Sequence, residues 1–454
     1  MRDKAYILDE IKRTAVANRD KRSNEDIYLT TWLYSRTCGV AALLMVWLTA
    51  PCAAENWPCF RGPTGQGISS EKGLPLTWSL KENLAWQVEV PGVGWSSPVV
   101  WGNRLFLTTA TEQGISCHAL CFDADNGKLL WDKEVVRQVP QKTRPKNSQA
   151  TPTPVTDGKL LYVAFNGGRL AALDFDGKIA WSRQDIAFFS IHGLGASPIL
   201  YKDMLIMPFD GNDEKDSKRG FKQAWEGAFV AAFDKQTGKD RWRGRRGLSR
   251  QGHVTPMVID VGGKPLLISA GGDVVQAFNP DTGELIWTVK SQGEGVVPSI
   301  VYGQGLVYTA SGYEAPAMRA IKPDGKGDVT ATHIAWESRD TVSMMPSFLY
   351  TDGLLFCVKE TGIAVCLDAA NGKLLWRERL GGAYSASPVL AEGRIYCLAE
   401  DGATVVMAAA REYKELARNP LAGLCQASPA FAGGQIFIRA QGKLYCVANK
   451  KRVP

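Results

Sequence analysis

The 454-residue chain has only four histidines, His118, His192, His253 and His333, with no HxH pair and no carboxylate at ligand spacing, so no metal site can be read from it. Its ten cysteines include no CxxC, no CxxCH and no adjacent Cys-Cys pair. That excludes a fused c-type cytochrome and the spacing of a small disulfide scaffold. Walker A, GxSxG and HExxH patterns are absent as well, which leaves NTPase, serine-hydrolase and zincin chemistry without support. A formal net charge of +7 is mild for this length and calls for no nucleic-acid partner.

Long apolar runs are also scarce. The uncharged run Cys38–Ala50 has 13 residues, short of the ~20 that span a bilayer. Arg36 precedes it and Pro51-Cys52-Ala53-Ala54 follows. The pattern is that of a signal peptide cleaved near Ala54, so the mature protein is expected in the periplasm or secreted, without a transmembrane span. Pro51 disfavours lipoprotein processing at Cys52. The charged residues 1–35 lack periodicity and are set aside with the leader.

What the chain has in plenty is glycine, tryptophan and repetition. With 45% hydrophobic residues, 46 Gly and 14 Trp it can fill a large core. Eight units open with Ser/Thr-Pro or Pro-Ser, headed by Pro98, Pro154, Pro198, Pro256, Pro298, Pro346, Pro388 and Pro429. They lie about 41 to 58 residues apart, the period of propeller blades with insertions. The unit at Pro346 reads as four short strands, Ser347–Tyr350, Leu354–Lys359, Ile363–Leu367 and Lys373–Arg377, separated by glycine turns. Most units close with an Asp, a Gly turn and a Trp, as in Phe122-Asp123, Gly127 and Trp131.

This signature resembles the pyrroloquinoline-quinone-repeat propellers, a family that includes quinoprotein dehydrogenases and the outer-membrane assembly lipoprotein BamB. The resemblance implies that Asp ends the third strand, Gly turns the chain and Trp packs between blades, a structural role for Trp86, Trp131, Trp181, Trp242, Trp287, Trp336 and Trp376. The expected fold is all-β: an eight-bladed β-propeller with four-stranded antiparallel blades, closed by pairing of N- and C-terminal strands. After Pro429 only three strands remain, and Asn83–Val90, with Trp86, supplies the fourth. Blade seven lacks its Trp, with Tyr413 or Leu416 in that region. The division is an extension and signal peptide at 1–54, a segment packing on the propeller at 55–83, the propeller at 84–448 and a tail at 449–454. The segment beginning Trp57-Pro58-Cys59-Phe60 is expected to lie across one end or the flank of the ring.

The resemblance also brings pyrroloquinoline quinone with calcium into view as a cofactor pair. The vicinal Cys-Cys of the enzymes is missing, and no metal-ligand or base residue can be matched. The residues therefore point to binding rather than catalysis. The expected role is a scaffold in the cell envelope for a protein or polymeric ligand, acting as a monomer. A quinoprotein oxidoreductase is the first alternative. The second is carbohydrate or cell-wall binding through exposed aromatics such as Trp95, Trp225 and Tyr384.

Connections into the innermost strands converge at one channel mouth. They carry the candidate contact residues Trp95, Asn147, Gln149, His192, Arg250, Gln251, His253, Glu294, Tyr384 and Gln426. The charged excursion Asp210–Glu226 should overhang the same opening. Basic residues Arg241, Arg243, Arg245, Arg246 and Arg250, and separately Lys142, Arg144 and Lys146, read as solvated rim residues unless they adjoin in space. Cys357 and Cys366 are expected to face each other across a two-residue Thr361-Gly362 hairpin, either as a cross-strand disulfide or as two small buried side chains.

Overall fold

The structure, a computed structural model, describes residues 55–340 and 342–449. Cys38–Ala50, Cys52 and Ala54, on which the signal-peptide expectation rests, lie outside the described residues. No helix among the described residues is long and apolar enough to cross a membrane.

Residues 84–448 form eight antiparallel blades in a ring. Blade 1 is Val99–Trp101, Arg104–Thr111, Ser116–Asp123 and Leu129–Arg137, from the channel outwards. In blade 8, Ala430–Ala432, Gln435–Ala440 and Lys443–Ala448 are joined by Leu84–Glu89 as the outer strand, with Trp86 opposite Cys446. The ring closes as expected. Blade 4 carries one addition, Gly327–Asp328, which pairs in parallel with its outer strand Leu285–Lys290.

Burial follows from stacking the blades face to face. Middle strands are covered on both faces and read as continuous apolar runs; Leu161–Phe165 of blade 2 has no exposed residue. Outer strands keep one face in solvent and alternate, as Leu84–Glu89 does. Each outer-strand tryptophan then reaches into the next blade. The indole N–H of Trp86 donates to Ala124 O, and those of Trp131, Trp181, Trp242, Trp287, Trp336 and Trp376 make the equivalent bond to the following blade's turn at 2.8–3.1 Å. The turn glycine has to be a glycine for two reasons. A Cβ at Gly127 would sit 2.7 Å from Trp86, and its φ is +74°.

At the register position of these tryptophans blade 7 has Ala417, opposite Val406. Neither Tyr413 nor Leu416 takes the place; Tyr413 instead packs edge-on against Trp376 at 5.4 Å. The gap is filled from the N-terminal segment, whose Leu74 and Trp78 are buried in the core shared by blades 7 and 8. Trp78 stacks on Tyr396 at 6.3 Å, and its backbone N–H donates to Asn419 Oδ1 at 3.0 Å.

Upstream, the same segment crosses the channel at the end away from the candidate mouth. Trp57 pairs with Val100 of blade 1, Pro58 O accepts from Thr156 of blade 2, and Gln66 Oε1 accepts from Tyr302 of blade 5. Ile68 then bridges Leu390 of blade 7, and Glu71 caps the Gly433 and Gly434 N–H groups of blade 8 at 2.8 and 2.7 Å. An extended segment holding blades on opposite sides of the ring must run across the bore, which it plugs.

A belt of hydroxyls explains the repeated Ser/Thr beside proline. The backbone N–H groups of Ser97, Thr153, Ser197, Ser299, Ser347 and Ser387 donate to Thr153, Ser197, Thr255, Ser347, Ser387 and Ser428 respectively, at 2.9–3.0 Å. Each hydroxyl thus ties its own blade to the preceding one around the channel.

One local expectation fails. Cys357 lies opposite Val365 and Cys366 opposite Phe356. The hairpin loop has three residues, Glu360-Thr361-Gly362, closed by Lys359 N–H to Ile363 O at 2.8 Å, with Gly362 at φ +75°. That extra residue shifts the pairing by one and turns the two side chains to opposite faces. Cys357 packs in the core between blades 5 and 6, Cys366 in that between blades 6 and 7, and no disulfide joins them. Burial pushes both thiols up to about 12. Folded protein is therefore expected to leave a thiol-reactive dye almost unconsumed, while denatured protein titrates all eight cysteines of residues 55–449. A shortfall of two in denaturant would restore the disulfide.

Candidate ligand pocket at the channel mouth

The connections into the inner strands surround a cavity of about 450 Å³. Its lining includes Phe60 of the plug, and the belt hydroxyls ring its wall. Of the candidate residues, Trp95, Asn147, His192, His253 and Gln426 come together here. They arrive from connections into blades 1, 2, 3, 4 and 8, far apart in sequence.

The polar groups in this wall are unusually short of partners. Trp95 is 8% exposed and its indole N–H donates to nothing among the described residues. His192 Nε2 and Gln426 Oε1 are likewise buried and unpartnered. Buried polar atoms normally find hydrogen bonds, so three orphans on residues that line one cavity mark a place for a ligand or water. His253 is packed against Gly195, where a Cβ would come within 2.9 Å of its own Cβ. Burial and then the neighbouring His192 bring the His253 imidazole down to about 3. His192 is also held below the usual imidazole range, by burial first and by Arg144, against an opposing pull from Glu294. Both rings are neutral near pH 7; their centroids lie 5.8 Å apart.

The other candidates are held in the wall's structure and do not line the cavity. Arg250 chelates Asp273, with its Nη2 2.6 Å from Oδ1, and also binds Glu314. Gln251 donates to Glu294 at 2.8 Å and is bonded to Ser190, which uses up both. Gln149 donates to Gln141 O at 2.6 Å and accepts from Gln138 and Asn166. Tyr384 is 1% exposed in the core between blades 6 and 7. Trp225 is pinned over Gly227, its N–H on Gly211 O at 3.0 Å. Trp95 and Tyr384 are buried and Trp225 is half-covered, so none of these three presents an open aromatic face to a carbohydrate.

The basic run is not a patch either. Arg246 is fully buried in a bidentate pair with Asp210, with Nη2 to Oδ2 at 2.8 Å, and Arg241 and Arg243 bind Asp234 and Asp240. Pairing offsets the cost of burying that guanidinium. Asp210, the first residue of the excursion, is thus an anchor, while Phe221 within it packs 5.6 Å from His192 at the mouth.

Sequence reasoning passed over Phe60, Tyr313 and Met345 as lining residues. The hydroxyls flanking the eight prolines were legible as a repeat, and a ring of inner strands would have brought them to the channel. Lys146 reaches from the connection into blade 2 to Glu400 of blade 7 at 2.6 Å, a span no local pattern announces.

Eight blades, a plugged bore and a pocket at the open end define a closed propeller of the quinone-repeat class. The family described as outer membrane protein assembly factor BamB matches residues 81–271, 226–347 and 271–451, and the chain belongs to that family. It is 22% identical over 362 residues to the assembly factor BamB of Moranella endobia (strain PCIT), covering 77% of this chain and 84% of that protein. Against the quinohemoprotein alcohol dehydrogenase ADH IIB of Pseudomonas putida it is 28% identical over 308 residues, 61% of this chain, and the match spans 40% of the dehydrogenase's length. The crystal structure of BamB from Moraxella catarrhalis superposes with a TM-score of 0.58 at 13% identity, over 80% of this chain and 98% of that one, a likeness of fold alone.

The dehydrogenase likeness invites a test of the quinone and its calcium. Calcium takes six to eight oxygen ligands, carboxylates among them. No Asp or Glu lines the cavity, and the described residues contain no cluster of three His, Cys, Asp or Glu that could hold a metal. The residues present do not fit a calcium-bound quinone.

Proposed function

We propose that this protein is a binding scaffold of the cell envelope whose partner seats at the channel mouth. The observation that carries the reading is that Trp95, His192 and Gln426, each with a buried and unpartnered polar atom, line one cavity without a carboxylate in its lining. Such a site offers recognition through its polar groups, with no metal cradle among the described residues.

The surface around the opening supports a macromolecular partner. Val93, Ile115, Val139, Leu248, Tyr313 and Leu424 are large apolar residues 37–90% exposed. All six lie in connections into inner strands or in second-to-third-strand loops, and the alternation of antiparallel strands puts both sets on the mouth side. Six of the eleven exposed large apolar residues among those described thus lie on the mouth side, the others being Leu80, Leu129, Leu130, Leu285 and Leu374, and apolar residues beside a pocket favour an interaction surface there. The family's envelope proteins supply the setting.

A photo-crosslinking amino acid placed at Tyr313 or Leu424 is expected to give discrete adducts in the native envelope. The same probe at Leu129 or Leu285, on outer strands at the other end of the blades, should give none. Adducts confined to the outer-strand positions would overturn the reading, as would a purified protein that retains pyrroloquinoline quinone with calcium through desalting.

A further inference from the structure

The charged side chains that line the mouth pocket, Arg144 and Lys146, are both cationic, and that imbalance points to its ligand. Thr153, Ser197, Thr255, Ser347, Ser387 and Ser428 each spend a lone pair on a backbone N–H of the preceding blade. Most of them keep an O–H donor and one further lone pair for the channel, Ser387 alone turning its O–H onto Ser347 at 3.0 Å. Trp95 adds an indole N–H with no acceptor, from a side chain more than nine-tenths buried. Arg144 lines the cavity with no ion-pair or side-chain hydrogen-bond partner among the described residues, while Lys146 beside it is committed to Glu400. With no carboxylate in the lining and Lys146 already paired, the Arg144 guanidinium favours a ligand that brings a negative charge. Gln426 Oε1 is an orphaned acceptor. It calls for an N–H in the ligand, which carboxylate or phosphate alone does not have and a peptide amide does.

Resting on the scaffold reading above, we infer that the pocket takes an acidic peptide segment of a protein partner. One Asp or Glu carboxylate enters toward Arg144 and Trp95, a backbone amide donates to Gln426, and flanking apolar side chains lie on the exposed apolar residues of the rim. Charge complementarity of this kind selects partners and fixes their register. Phe60 and Met345 supply apolar wall below the rim for the stem of the acidic residue.

The test is selection of a displayed random heptapeptide library on the purified protein, followed by calorimetry with the most enriched peptide as a synthetic amide. Enriched sequences should share an Asp or Glu next to apolar residues. Changing that residue to its amide should weaken binding about tenfold or more at low salt, as loss of a charge-assisted contact does. Arg144→Ala should abolish the preference for the acid over the amide, and Arg144→Lys should keep part of it. Arg144 is in a surface connection and neither variant should shift the melting temperature, so a lost preference cannot be put down to unfolding. Enrichment without acidic residues, no enrichment, or a preference indifferent to Arg144 would each overturn the inference. In those cases crosslinks at Tyr313 would still uphold the scaffold reading, and their absence would remove both. Binding to anionic phospholipid vesicles in place of any peptide would also overturn it.

Discussion

Replacing Trp287 with alanine is expected to cost about 3–5 kcal/mol of folding stability, the range for truncating a large aromatic in a core. Seven tryptophans make the same interblade hydrogen bond, yet this one stands apart because it is fully buried. The extra strand Gly327–Asp328 runs along the outer strand of blade 4 opposite Trp287 itself and shields the ring from solvent. Its N–H donates to Pro323 O at 2.8 Å, so the substitution opens a cavity and leaves a carbonyl without its partner. Trp376→Ala removes the same latch from a half-buried site and should cost less. Urea unfolding of the two variants checks the order. A loss below about 1 kcal/mol at Trp287 would place it outside the core, at the low end of point substitutions.

Deleting residues 55–90 should do more harm than any single substitution. It removes the outer strand Leu84–Glu89, leaving the Lys443–Ala448 strand of blade 8 with an unpaired edge. Exposed edges pair with other chains, so aggregation is the expected result. The same deletion takes Trp57 and Trp78 out of the largest core cluster and breaks the Trp86 latch onto blade 1. It also removes the plug and Phe60 from the pocket. A shorter deletion of 55–79 keeps the closing strand and should give a protein that stays dispersed but melts earlier. Light scattering after size exclusion, with thermal melting, distinguishes these outcomes. A 55–90 deletion that elutes and melts like the parent would refute closure by the N-terminal strand.

How far the sequence could be read depended on the distance over which each feature is decided. The blade count, the turn glycines, the tryptophan latch and the closing strand were all legible. Each is written into a stretch of some forty residues and repeated, so the errors of one unit are corrected by its neighbours. Of the candidate contact residues, Trp95, Asn147, His192, His253 and Gln426 line the pocket because topology alone sends those connections to the mouth. The others were in the right connections but facing elsewhere.

That difference separates what the sequence determined from what only the tertiary structure decided. The chain's own periodicity determined an eight-bladed ring, its closure and the end at which its loops gather. Orientation within those loops was settled by partners remote in sequence: Asp273 claims Arg250, Glu294 claims Gln251, Asp210 claims Arg246, and Glu400 draws Lys146 across the mouth. The hairpin of Cys357 and Cys366 makes the same point at short range, where one extra loop residue reverses the face each thiol meets. Periodicity specifies which strands pair, because backbone hydrogen bonding is the same for every residue. Which side chain is left over to meet a ligand depends on the charge, hydroxyl or ring that the neighbouring blade brings against it, and only the closed ring puts those neighbours in place.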